Sequence, residues 1–586
     1  MVMRRFIVGF FALIGFLAFL PIVALIFSLY RWSAPTLPFL NQDDPYVLSL
    51  TLGDESLREH TPRGGVASLI EGSTQSVHTL IEGINHAAKD DHIKGLLLTF
   101  EGNVLKQATA QEIRDALKAF KASGKFIYTY AHSFGELSNG TMNYYLAALS
   151  SKIWMMPLGT LNFNGIMIEV PFAKKALDDL KIHTQLGHRE EYKGMIESLT
   201  QTDFSPPYRE NMQRIISALT AQIIKDVAVG RGLEVDEVQK ILNNSPYTPK
   251  EAIDHKMIDE IGYKDEVKEA IQKLLGKKPT YRDFDSYSQS MKSPSGKDKI
   301  AIVYAEGSIS KGKATRSPLS DELVLDAPEI AKALREARED DSVKAIVLRI
   351  DSPGGNPIAS ELIGREMELT KPKKPVIVSM SNYAASGGYW IACNARKIVA
   401  QPGTITGSIG FYAGKIVTQE LWDSLGIHWG EIHEGNQAGI WSSGHLYSDA
   451  EQEKFNAYLD QIYNIFQEKV ANGRHLSRDK VHQIAKGQVW TGMEALDHGL
   501  IDALGGLTTA IEMAKKEANL PADVPVALTH LPAPKSFMEM LVNRDHDGDE
   551  AGVLTRYPSV RLLLQRFDNL FAPAQVEVKM ETLKVK

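Results

Sequence analysis

The chain has 586 residues, a formal net charge of −7, 44% apolar and 23% charged residues, and its length suggests about three to four units with folded cores. The pI near 6.2 gives no reason to expect nucleic-acid binding. A single cysteine, Cys393, excludes both an intrachain disulfide and a cysteine-rich zinc site. In chain order, residues 1–5 carry Arg4 and Arg5, and 6–30 (Phe6 to Tyr30) hold no charged side chain. A helix of that length spans a hydrocarbon core of about 30 Å, which needs about 20 residues. Arg31 follows closely and Asp43 and Asp44 come next, so charge bias predicts a cytoplasmic N-terminus and an exported body. A cleavable signal peptide is the rival reading, but its apolar core would be about 7–15 residues, and no small-x-small site follows. The segment reads as a retained, single-pass signal anchor, with a linker over 31–46.

Beyond it the chain repeats itself. "DDHIKGLLLTFEGN" (90–103) resembles "DDSVKAIVLRIDSPGGN" (340–356) at an offset of 250. "YYLAALSSKIWMMP" (144–157) matches "YWIACNARKIVAQP" (389–402), and "KIHTQLG" (181–187) matches "GIHWGEI" (426–432), both at 245. Five extra residues therefore lie in the first copy between about Ala131 and Tyr144. A period this long describes duplicated domains, since solenoid units recur at about 20–50 residues. The copies are assigned to 47–281 and 300–532, joined by a polar, serine-rich linker over 282–299. Helical spacing in "EIAKALREARED" (329–340) and apolar runs in "AIVLRI" (345–350) and "PVIVSM" (375–380) imply βαβ crossovers, hence an α/β fold. A tail over 533–586 holds acidic "NRDHDGDE" and the amphipathic "YPSVRLLLQRFDNLF".

The second copy carries three glycine-rich loops after apolar runs: "DSPGG" (351–355), "ASGGY" (385–389) and "TGSIG" (406–410). Such loops let backbone N–H groups face a ligand. The first copy has "EGN" and "SNGTMNYY" instead, and Phe163 stands opposite Ser408.

This arrangement resembles the protease IV family, the bacterial signal peptide peptidases, in its long two-copy form. The resemblance covers nearly the whole chain. It implies two tandem Clp/crotonase-like domains behind one transmembrane helix, and a serine–lysine dyad. The serine falls on Ser408 in "TGSIG" as nucleophile. The lysine falls on Lys193 in "EEYKGMIES" as general base; Tyr192, Lys193 and Glu197 fit the pattern, whereas Gly194 and Ser198 depart from the serine and proline expected. At offset 245 Lys193 aligns with Ala438, so each copy keeps one half of the dyad. Ser386 in "ASGGY" is the alternative nucleophile, its loop otherwise shaping the cleft; His428 and His433 are the histidines nearest to Ser408 in sequence.

A serine hydroxyl needs a neighbouring base, and a lysine serves only when burial lowers its pKa from about 10.4. Arg189 would assist by charge repulsion, and Glu190 and Glu191 must then point away from the Lys193 nitrogen. The oxyanion donors are expected at Gly354 and Gly355, since Pro353 has no N–H. No HExxH or phosphate-loop signature is present, so no cofactor and no metal are expected. The resemblance implies a membrane-anchored serine endopeptidase that degrades cleaved signal peptides and other apolar peptides, a homotetramer on the inner membrane with its body in the periplasm. A crotonase-type acyl-thioester-binding enzyme and an inactive membrane scaffold are the alternatives.

Overall fold

The computed structural model describes residues 45–53, 57–60, 76–102, 105–291, 294–312, 323–521, 524, 526–533 and 578–579. The expected span over 6–30 and nearly all of the tail lie outside these residues. Among the described residues, no helix is long and apolar enough to cross a membrane.

The first half carries β1 (Tyr46–Leu52), β2 (Ile93–Phe100), β3 (Phe126–Ala131), β4 (Lys152–Met155), β5 (His183–His188), β6 (Glu260–Ile261) and β7 (Thr280–Asp283). The second carries β8 (Lys299–Glu306), β9 (Ser308–Ser310), β10 (Val324–Asp326), β11 (Val343–Ser352), β12 (Gly354–Gly355), β13 (Val376–Ala385), β14 (Lys397–Ala400), β15 (Ile405–Gly407), β16 (Tyr412–Val417), β17 (Val489–Thr491), β18 (Ala503–Leu504) and β19 (Ala527–Leu531). A last strand, β20 (Val578–Lys579), comes from the tail.

The repeat is architectural. The first sheet runs β6-β4-β3-β2-β1-β7, and β18, β14, β13, β11, β8 and β19 follow the same order in the second. These ladders are parallel, so their strands are covered on both faces and read as continuous apolar runs. β2, "IKGLLLTF", exposes only Lys94. Matching crossover helices, Val77–Lys89 and Ala327–Glu339, cover one face. Ser76 caps the first through the Thr79 N–H, and Pro328 opens the second, each suited to a helix start. The register around Phe163 also holds. Leu161 bridges Phe134 and Tyr247, as Thr406 bridges Ala384 and Trp490. Phe163 therefore occupies the place of Ser408.

The stretch assigned as a linker is not all linker. Phe284–Ser290 is a helix capped by Asp283, and Phe284 and Tyr287, three apart, enter the first core. Its serines suggest a loop, but two aromatic side chains on one helical face decide the outcome.

Among the contacts that join the halves, two stand out. β5 and β16 form an antiparallel pair, with His188 opposite Tyr412 and His183 opposite Val417. Deeper, the fully buried Arg349 of β11 donates from Nε to Glu59 (2.7 Å), from Nη2 to Glu112 (2.7 Å) and from Nη1 to Ser379 (2.8 Å). Ser381 donates to the second oxygen of Glu59, and the Leu507 N–H to that of Glu112. Burial pushes the Glu112 carboxyl up, while the adjacent guanidinium pulls it down.

Candidate active site

Three side chains meet at the junction of the halves. Lys193, from the first half, directs Nζ at Ser408 Oγ (2.8 Å), the Ser408 carbonyl (2.9 Å) and Ser386 Oγ (2.9 Å). All three residues are buried. The lysine is set by a turn ahead of the short helix Gly194–Ile196. The Tyr192 N–H donates to the Lys486 carbonyl (3.1 Å) and the Gly487 N–H to that of Ile409 (2.9 Å), which clamps the turn against the Ser408 loop. Gly487, at φ 78°, passes so close that a Cβ there would sit 2.6 Å from the Lys193 backbone nitrogen. Nothing in the sequence pointed to this glycine.

Burial alone lowers the Lys193 pKa to about 7, because the cavity withholds water from the ammonium form. The charges weighed from sequence stay away. Glu191 pairs with Lys486 at 3.0 Å, and Arg189 bonds Asp460 and the Asn456 carbonyl. Glu191 thus points away as expected, whereas Arg189 lends no repulsion. His428 bonds Asp423 at the surface, and His433 is exposed.

Sheet order separates the two serines. The "SPGG" loop follows β11, Ser386 follows β13 and Ser408 follows β15, and these strands are neighbours in that order. Strands lie about 4.8 Å apart, so Ser386 is one step from the loop and Ser408 two steps, about 10 Å. A Cβ built on Gly387, next to Ser386, would lie 3.1 Å from the Gly355 nitrogen. Ser386 turns the chain from strand to helix at φ 54°, ψ −116°, a conformation rare for a residue with a side chain. Its own N–H is taken by the Gly407 carbonyl (2.8 Å), and that of Ser408 by Gln488 (2.7 Å). Neither serine's own amide is free to act as a donor.

Within the "SPGG" loop the ranking changes. The Gly354 N–H already donates to Ser352 Oγ (3.2 Å). Asn356 donates to Ile309 (2.8 Å) in a parallel bridge centred on Gly355, which directs the Gly355 N–H to the opposite side. There the tail strand β20 lies antiparallel, with Gly354 opposite Lys579 and Gly355 opposite Val578. This edge accepts an extended chain.

The first half has closed the equivalent space. Phe163 and Phe134 each pack on Tyr144 with ring centroids 5.4 Å apart. Thr141, aligned with Ser386 at offset 245, spends its hydroxyl on the Gly165 N–H (3.0 Å).

Comparison with known proteins agrees with this arrangement. The model of peptidase family S49 matches residues 119–278 and 368–521. The chain is 32% identical over 491 residues to the chloroplastic serine protease SPPA of Arabidopsis thaliana, covering 82% of this chain and 71% of that one. It is 32% identical over 459 residues to protease 4 of Salmonella typhi, covering 76% and 72%. A putative signal peptide peptidase SppA of Enterococcus faecium matches at 32% over 188 residues, 32% of this chain and 55% of that one. The repeated α/β halves, the hydroxyl–lysine constellation and these matches lead to one conclusion: the chain belongs to peptidase family S49 and is a serine peptidase.

Proposed function

We propose that Ser386, rather than the Ser408 expected from sequence, is the nucleophile, with Lys193 as general base and Ser408 as the residue that orients the lysine. The carrying observation is the Lys193 nitrogen held between both hydroxyls, with only Ser386 one strand from the oxyanion loop. In this reading the extended substrate adds antiparallel to β12, on the edge that β20 now pairs with. Neutral Lys193 takes the Ser386 proton as Oγ attacks the scissile carbonyl carbon. The tetrahedral oxyanion accepts the Gly355 N–H; Gly354, bonded to Ser352, is secondary. Protonated Lys193 then gives its proton to the leaving amine, and water hydrolyses the acyl-enzyme by the same route. Ser408 fixes the ammonium through its carbonyl and hydroxyl, holding the nitrogen on line with Ser386.

The finer assignment is a signal peptide peptidase anchored by 6–30 in the inner membrane, with a periplasmic body of two Clp/crotonase-like domains over 47–281 and 300–532, acting as a homotetramer. It is supported by the uncharged N-terminal segment and by the names of the relatives. A synthetic signal peptide added to the detergent-solubilised chain tests it. Cleavage within the apolar core, with folded proteins left intact, is the expected result; failure on apolar peptides alongside cleavage of polar ones would overturn the substrate class.

The same assay yields a pH profile. A base must be neutral, so kcat/KM is expected to rise with pH through an apparent pKa near 7 and level off above it. A rate that is flat from pH 5 to 9 would remove Lys193 from the proton path.

A further inference from the structure

Asp351 stands next to last in β11, immediately before the "SPGG" loop, with its side chain nine-tenths buried. The β11–β13 ladder runs in step from Ile346 opposite Val376 to Ile350 opposite Met380, then resumes with Ser352 opposite Ala384. Asp351 alone therefore faces three residues of β13, Ser381, Asn382 and Tyr383, so β13 bulges by two residues. A bulge takes amides out of the ladder, and in a buried strand each needs another acceptor. Asp351 supplies it. Its Oδ1 accepts the Tyr383 N–H (2.8 Å) and its Oδ2 the side-chain N–H of Asn382 (3.3 Å). Asn382 carries the link into the first half. It accepts the Thr109 N–H (3.1 Å) and donates to Thr109 Oγ1 (2.8 Å), in the first turn of the helix Gln107–Ala122. Lys106, the residue before that helix, holds its Nζ 4.0 Å from Asp351 Oδ2.

Past the bulge β13 also engages β15. Tyr383, Ala384 and Ala385 pair with Ile405, Thr406 and Gly407, the residues that directly precede Ser386 and Ser408. The length of the bulge thus sets where both hydroxyls stand relative to the β11 loop. The first half, whose equivalent space is closed, is built differently here. β2 and β3 pair in step to Phe100 opposite Ala131, and Glu101, aligned with Asp351 at offset 250, is exposed.

We propose that Asp351 is a positioning residue for the peptidase reaction: its carboxylate holds the β13 bulge open and so fixes both serine loops against the "SPGG" loop. Through Asn382 it also ties that arrangement to the half that supplies Lys193. A slip of one residue would move the chain by about 3.3 Å along the strand and turn its side chains to the other face. Catalysis does not tolerate such a shift, since a misplacement of about 1 Å can cost about 10²-fold. The inference is independent of which serine is the nucleophile and of which glycine donates to the oxyanion. Both hydroxyls follow the bulged segment or the strand paired with it, and both glycines follow Asp351 on β11.

Steady-state kinetics of the full solubilised chain on an apolar peptide test it. Asp351→Ala is expected to lower kcat by about 10²-fold and to leave KM near its wild-type value, because β12 keeps its own bridge to Ile309. Asp351→Asn retains an acceptor for the Tyr383 N–H and gives up the bond from Asn382, so its kcat is expected to fall less, by about 10-fold. In both variants the acid limb of the pH profile should stay near 7, because burial of Lys193 rests on other contacts. Glu101→Ala, the aligned change in the first half, is expected to match wild type. Should Asp351→Ala not fold, Asp351→Asn carries the test, since it keeps the shape of the side chain. A wild-type kcat in the folded variant, or a loss that falls on KM with kcat intact, would overturn the proposal. So would a displaced pH limb, which would place Asp351 in the proton path instead.

Discussion

Ser386→Ala is expected to lower kcat for an apolar peptide by about 10³-fold or more, because removing a covalent nucleophile leaves only binding and oxyanion stabilisation. Ser408→Ala is expected to cost less, about 10- to 100-fold, because Lys193 keeps its bond to the Ser408 carbonyl and to Ser386 Oγ. The two variants should also differ in kind. Without Ser386 no acyl-enzyme forms, so a burst in product release disappears. Without Ser408 the burst remains and slows, and its pH limb shifts as the lysine loses one hydroxyl partner. The opposite ranking, with Ser408→Ala inert and Ser386→Ala merely slow, would return the nucleophile to the "TGSIG" loop. Folding does not confuse the comparison: both changes remove one hydroxyl from a buried site whose backbone bonds are made by other atoms.

The second large effect lies away from the chemistry. Arg349→Met should destabilise the chain by about 3–5 kcal/mol, because it strands Glu59 and Glu112 in a site with no water to solvate them. Arg349 comes from the second half and both carboxylates from the first, so the loss falls on the junction that holds Lys193 against the serines. Urea unfolding should show the lower midpoint at neutral pH and a smaller difference at acid pH. The direction follows from linkage. In the variant, Glu112 loses the guanidinium that pulls its carboxyl down against burial, so its folded pKa lies above the unfolded one and protonation relieves it. The triple change Arg349→Met, Glu59→Gln, Glu112→Gln should recover much of the loss. Equal midpoints for Arg349→Met and wild type would mean that the cluster does not hold the halves together.

How much of this was legible from sequence varies with the residue. The duplication was plain, because buried parallel strands repeat as apolar runs whatever surrounds them, and the shift in offset located the five-residue insertion. Lys193 was legible through its motif and through Ala438 at the matching place in the second half. The choice between Ser386 and Ser408 was not. Both follow an apolar run, both sit beside glycines and both adopt positive φ, at 54° and 50°. What separates them is strand order, with β13 between β11 and β15, and no local stretch encodes it. The same holds for the donor loop, where one Ser352 hydroxyl takes the Gly354 amide, which is why the oxyanion role is proposed for Gly355. The Arg349 cluster draws on residues 290 and 237 positions away, and only folding brings them together. The 284–290 helix was hidden by its serines.

The most direct test of the central claim is to label the active, solubilised chain with a serine-directed phosphonate and map the modified residue by mass spectrometry after trypsin digestion. Arg396 and Lys397 lie between the two serines, so each falls on its own fragment. The phosphonyl group is predicted on the fragment that ends at Arg396 and contains Ser386, and labelling should fail in Lys193→Ala. A label on the fragment that contains Ser408 would contradict the account.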